Sequence, residues 1–424
     1  MSAWRRRIRL WGFCAYGAAT LIGMAPMNIG FALLLIGTVA GAGGLRGFWA
    51  DLTETLRAPW VRRFFWISMA FVVVCGASLV WARVHPLVYN GEIHAVRFPG
   101  DFVKMWYWFH PFVVLTGLRK MDQADRRRVV ECWLISMGAF SLVGIQQFFT
   151  GWPYANRIPE LRNHYNATSF LGHHLSFSNV FVFPFFAALD LAARKTKDRE
   201  KWFSLPGWVL WLLTGLGGLA LFLTFSRILW AAIPVAVLLW GFVALRKRGR
   251  VALVLVVGLL MGAAALSPVV RAHLGKGADM DRVQLWEANW HFFLDSPLLG
   301  AGFKVNHQIC LQWLREHHPG RTWYFMGHAH NDVLDVLGGM GALGLLTWLL
   351  WMGWIFAAHR GPIQDRGLGR SFAQGLLCAW VAFHINGLTQ VNYLEGKVQH
   401  QMMWAVAWVM LMVWLKGESR GKKT

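Results

Sequence analysis

The densest chemistry in the sequence is His328-Ala329-His330-Asn331-Asp332, set just before a Leu- and Gly-rich apolar run. An unperturbed imidazole titrates near physiological pH, so either histidine can act as a general base. Two other roles are open to the pair: metal ligation together with Asp332, or a structural place at an interface with hydrogen-bonded ring tips. A second candidate is Thr224-Phe225-Ser226-Arg227, whose arginine closes one apolar run and opens another. Such a cation either snorkels to the interface or marks a substrate path, and its planar donors can bind two phosphate oxygens at once. The third is Asp279-Met280-Asp281-Arg282. A DxD pair can hold a divalent cation against a diphosphate. The blander reading is a solvated acidic turn capping a helix over 282–294 and meeting its dipole. Arg282, at the start of that helix, faces a phosphate equally well. Further polar groups are Arg157 and Arg162 in the stretch 150–167, His173 and His174 in Gly172-His173-His174-Leu175, and Thr389-Gln390-Val391-Asn392 ahead of Glu395.

These groups stand between long apolar runs. Of 424 residues, 56% are hydrophobic and 15% charged, mean hydropathy is +0.40, and there are 26 Trp and 30 Phe. A soluble chain carries roughly 25% charged residues, so this composition excludes a disordered protein, a disulfide scaffold and almost any cytosolic enzyme. The five cysteines show no metal spacing and predict no disulfide. No Walker A motif is present, nor a glycine fingerprint that begins a Rossmann unit, so nucleotide-driven chemistry is not expected. A bilayer core about 30 Å thick needs about 20 apolar residues per helix. That ruler predicts an all-α integral membrane protein forming one polytopic domain over 1–424. Its twelve spans fall near 8–25, 27–44, 64–82, 101–118, 129–149, 168–193, 206–225, 227–245, 251–269, 337–358, 371–389 and 398–416. Arg5, Arg6, Arg7 and Arg9 before the first span, with no small-residue cleavage site after it, predict a retained signal anchor.

Charge orients the bundle. With a cytoplasmic N-terminus and twelve spans, 29 of the 42 Lys and Arg fall on the cytoplasmic side. The net charge of +21 therefore reports membrane topology and anionic lipid, with no need for a nucleic-acid partner. Both termini are expected in the cytoplasm, and 270–336, between spans nine and ten, is expected as the one sizeable periplasmic loop. Within it Val283, Trp286, Trp290 and Phe293 recur at i, i+3, i+7 and i+10, predicting an amphipathic helix at the membrane surface.

In this order the motifs resemble the O-antigen ligase and polymerase family of polytopic glycosyltransferases. The resemblance is carried by Ser226-Arg227, Arg282-Val283 with Trp286, and Ser296-Pro297-Leu298-Leu299-Gly300-Ala301-Gly302-Phe303. His328-Ala329-His330-Asn331, the Gly-Met-Gly-Ala-Leu-Gly run at 339–344 and Gly387-Leu388-Thr389-Gln390 continue it. It covers about 166–400. Two departures stand out: Gln390 occupies a position where such proteins often carry an acid, and the Asp-Met-Asp triplet is foreign to the pattern.

The resemblance implies an inverting transferase of the bacterial inner membrane, with its site facing the periplasm, that needs neither metal nor cofactor. Similar proteins move O-antigen from undecaprenyl pyrophosphate to a sugar hydroxyl of lipid A-core. On that mapping Arg227 and Arg282 hold the pyrophosphate, His330 accepts the proton of the attacking hydroxyl, and His328, Asn331, Arg157, Arg162, His173 and His174 support them. The donor is already activated by its diphosphate, so no nucleotide is required. Two alternatives stay open: the related polymerase, whose acceptor is a second lipid-linked O-antigen unit, and a lipid-linked oligosaccharide transporter. Transporters place charges near the midplane of paired halves, whereas here the ionisable groups gather at one face.

Overall fold

The computed structural model describes residues 2–421 except 90, 94–99, 159–160, 162, 195–202, 275–278, 322–326 and 364–367. Apart from a two-stranded hairpin pairing Val88–Tyr89 with Glu92–Ile93, the described elements are helices and turns. Eight of those helices are long and apolar enough to cross a bilayer: Met24–Gly41, Pro59–Val84, Gln123–Thr150, His174–Ala192, Arg227–Ala244, Lys247–Leu266, Asp332–Arg360 and Gly396–Gly417. The chain is a multi-pass helical membrane protein.

Each of these eight coincides with an expected span. The expected first, seventh and eleventh spans correspond to Ala3–Ala19, Gly207–Phe222 and Leu368–Gly387. The expected fourth is not one rod. It divides into Gly100–Val103, a 3-10 stretch Lys104–Phe109 and the helix His110–Arg119. Pro111 opens the last of these, at a position where its missing N–H costs nothing.

Packing varies sharply among the helices. Ala3–Ala19 and Met24–Gly41 approach through glycine: a Cβ on Gly12 would fall 2.5 Å from the Leu33 carbonyl oxygen. Small residues let backbones close in this way where lipid supplies no hydrophobic push between helices. His174–Ala192 and Gly396–Gly417 run through the centre, 94% and 83% of their spanning windows buried. Lys247–Leu266, by contrast, buries no residue.

The stretch 270–336 contains two long helices, Asp279–Asp295 and Val305–His317. The first packs on Asp332–Ile363. Its inward face is Asp281, Gln284, Leu285, Ala288, Asn289 and Phe292, while Met280, Val283, Trp290 and Leu294 lie exposed. The expected amphipathic face is thus partly an outward apolar stripe, and half of the packed face is polar.

Asp332–Ile363 is broken at Gly341, where φ is 63° and ψ is −162°. The turn 296–303 inserts at the break. Ala301 N–H donates to Gly338 O at 2.8 Å, Ala342 N–H to Pro297 O at 2.8 Å and Leu343 N–H to Leu298 O at 3.2 Å. No side chain fits there, because a Cβ on Gly341 would lie 2.4 Å from the Leu298 carbonyl carbon. The two glycine-rich motifs of the sequence are therefore the two sides of one joint.

Candidate active site

Several helix ends meet at one end of the bundle. The starts of His174–Ala192, Arg227–Ala244 and Val305–His317, the turn before Asp332, and the segment 389–395 after Leu368–Gly387 enclose a cavity of about 910 Å³. Six of the expected site residues line it: Arg227, Arg282, His328, His330, His173 and His174. Arg157 does not. It is exposed, makes an isolated backbone bridge to Tyr165 and sets its guanidinium 5.9 Å from that ring. Arg162 lies outside the described residues. Asn331 serves the fold: its Oδ1 accepts from Leu334 N–H at 3.0 Å, capping the following helix, and its Nδ2 donates to Leu388 O at 3.0 Å.

His330 is buried in a left-handed conformation, φ 49°, its ring centroid 4.1 Å from that of His328. Its Nδ1 lies 3.3 Å from Gln390 Oε1. A carbonyl oxygen accepts, so Nδ1 carries the proton of the neutral ring and Nε2 is the basic nitrogen. Burial first, then the His328 and Arg282 charges, push His330 down to about 3, against smaller upward pulls from Gln390 and Asp335. Burial, His307 and Lys304 bring His328 to about 4. Both rings are neutral at pH 7.

Among the described residues, three cations line the cavity. Arg227 is the first residue of its helix, behind Ser226 at the cap and Phe225 at φ 53°. Arg282 enters from the first turn of Asp279–Asp295. Lys304, at φ 58°, precedes Val305–His317. Glu395 lies at the cavity edge, bonded to the Ser176 hydroxyl. Arg227, Arg282 and Lys304 outnumber the lining acid Glu395, a balance that suits an anion.

Lys304, His307 and Asp335 were not signalled by the sequence motifs. His307 Nε2 meets the buried Asp335 Oδ1 at 2.7 Å. The same oxygen accepts from Ala329 N–H at 3.2 Å and Asn306 Nδ2 at 3.3 Å. One carboxylate thus fixes both the His328–His330 turn and a third cavity histidine. The metal reading of the Asp-Met-Asp triplet finds a different partner: Asp281 is buried and faces Arg321 at 3.3 Å. It is not the solvated turn expected of it. Among the described residues no group of three or more His, Cys, Asp or Glu is placed to hold a metal.

Residues 210–349 match the family described as O-antigen ligase. The chain carries an O-antigen ligase family domain. No curated protein matches the chain. The matched segment contains the cavity residues Arg227, Arg282, Lys304, His307, His328 and His330, together with the buried Asp335 that holds His307. His173, His174, Gln390 and Glu395 lie outside it and close the cavity from the rest of the chain.

Proposed function

We propose that the protein is an O-antigen ligase. It transfers O-antigen polysaccharide from undecaprenyl pyrophosphate to a sugar hydroxyl of lipid A-core, with inversion and without metal, nucleotide or other cofactor. The observation that carries this reading is a neutral His330, its Nδ1 on Gln390, in the same cavity as Arg227 and Arg282. The acceptor hydroxyl gives its proton to His330 Nε2 as its oxygen attacks the anomeric carbon. The bond from that carbon to the diphosphate oxygen breaks, and undecaprenyl pyrophosphate leaves with its charge on the arginines. A ring held near 3 is a weak base while the site is empty. A bound diphosphate opposes the Arg282 charge that depresses it, so donor binding itself raises the basicity of His330.

In this reading the protein sits in the bacterial inner membrane, both termini in the cytoplasm, with the cavity open to the periplasm. There two lipid-borne substrates reach it from the bilayer. The test is a deletion strain scored on a lipopolysaccharide gel. Loss of all capped species with accumulation of lipid-linked polymer supports the ligase. Survival of core carrying a single unit replaces it with the polymerase, and accumulation of donor on the cytoplasmic leaflet replaces it with a transporter.

A further inference from the structure

Among the described residues five non-glycine positions take a left-handed backbone: Tyr154, Ser169, Phe225, Lys304 and His330. Three of the five line the cavity. Two of those are already accounted for, since His330 is the proposed base and Phe225 sets the approach to Arg227. Left-handed geometry is unfavourable for a residue with a Cβ, and it persists at sites where the side chain is needed in place. Lys304 has the same signature. It stands at the cap of Val305–His317, lines the cavity, and lies close enough to His328 for its charge to act on that ring. One turn on, His307 is locked to the buried Asp335 at 2.7 Å, which fixes the start of this helix relative to the His328–His330 turn.

We propose that Lys304 is a third phosphate-binding cation of the site, and that it selects a lipid diphosphate over a lipid monophosphate. The proposal rests on the donor reading above. Two guanidinium groups can satisfy the oxygens of one phosphate between them. A third cation on a separate, braced element is useful only to a ligand with a second phosphate. Glycine at position 304 would relax the left-handed backbone and delete the ammonium group, so Lys304→Gly separates binding from folding.

The experiment measures binding of a polyprenyl diphosphate and of the matching monophosphate to purified full-length protein in nanodiscs. Wild type, Lys304→Gly and Lys304→Arg are compared, with thermal midpoints recorded alongside. A charged hydrogen bond of the usual strength predicts that wild type prefers the diphosphate by about tenfold or more. Lys304→Gly should bring the two affinities to within about threefold by weakening the diphosphate alone, with no fall in thermal midpoint. Lys304→Arg should keep most of the preference. An unchanged preference in Lys304→Gly overturns the inference, and so does an equal loss of both ligands. If wild type binds neither lipid, the donor reading falls and takes this inference with it. If the preference behaves as stated but purified protein transfers no O-antigen, Lys304 is a diphosphate-selecting residue and only the transferase reading fails.

Discussion

His330 Nδ1 and Gln390 Oε1 meet at 3.3 Å across the cavity, joining two segments 60 residues apart. The contact fixes which ring nitrogen can accept a proton. It does so with a neutral amide, where a carboxylate would also have favoured the imidazolium ion. The ring is thereby oriented without being charged.

Gln390→Glu exchanges that amide for a carboxylate. An ionised partner raises the His330 value from about 3, so the ring protonates at higher pH. The acid limb of the pH–rate profile should move upward by about one unit or more. A profile that coincides with wild type would mean His330 is not the titrating base.

His330→Ala removes the proposed base and should lower transfer by about 10²- to 10⁴-fold with donor binding retained. His328→Ala should cost less, acting through the position of its neighbour. Stability gives a second readout. Both rings sit below the ordinary value of 6.5, His330 at about 3 and His328 at about 4. The unfolded chain therefore binds more protons between about pH 6.5 and those values, and stability falls as pH drops through that window. Each alanine variant should flatten the decline, measured as thermal midpoint against pH.

Arg227→Lys keeps a positive charge at the start of Arg227–Ala244 but loses the two-pronged donor. Transfer should fall by about 10²-fold, as when one donor to a developing anion is lost, and Arg282→Ala should fall at least as far. Near-normal turnover by Arg227→Lys in a purified assay would show that charge alone suffices.

Transfer should persist in EDTA. Asp281 is committed to Arg321 at 3.3 Å, so Asp281→Asn should reduce stability modestly while leaving turnover per folded molecule within about twofold. Chelator-sensitive transfer restored by magnesium would return the Asp-Met-Asp triplet to a catalytic part.

Gly341→Ala places a methyl group 2.4 Å from Leu298 in a backbone of φ +63°. Left-handed strain and overpacking together should cost about 2–5 kcal/mol. Thermal unfolding of the purified variant checks the magnitude.

Hydropathy made the helical segments legible because lipid demands a continuous apolar length, a signal written along the chain. The fourth expected span shows its limit. Its residues are apolar enough, yet Pro111 restarts the helix, so composition alone did not reveal the break. Arg227, Arg282 and His330 were legible as a set because each sits in a recognisable local motif. Lys304, His307 and Asp335 sit in none. The His307–Asp335 pair joins residues 28 apart, and nothing near either one announces the other. Arg157 is the reverse case: a cation in the expected stretch that lies outside the cavity lining and near Tyr165.

The joint at Gly341 ties the turn that leads into Lys304 to the helix that follows His330. The turn that leads into Lys304 is stitched to Asp332–Ile363 by backbone groups, and Phe303 N–H is further held by Ser78 Oγ at 3.0 Å. Lys304 and His330 are therefore carried by two elements joined through backbone hydrogen bonds. Arg227 stands on a different support, a helix packed against both Leu368–Gly387 and Lys247–Leu266. None of the residues of Lys247–Leu266 is buried, so on that flank a single lipid-facing helix backs Arg227–Ala244, while on the other it rests on the protein core.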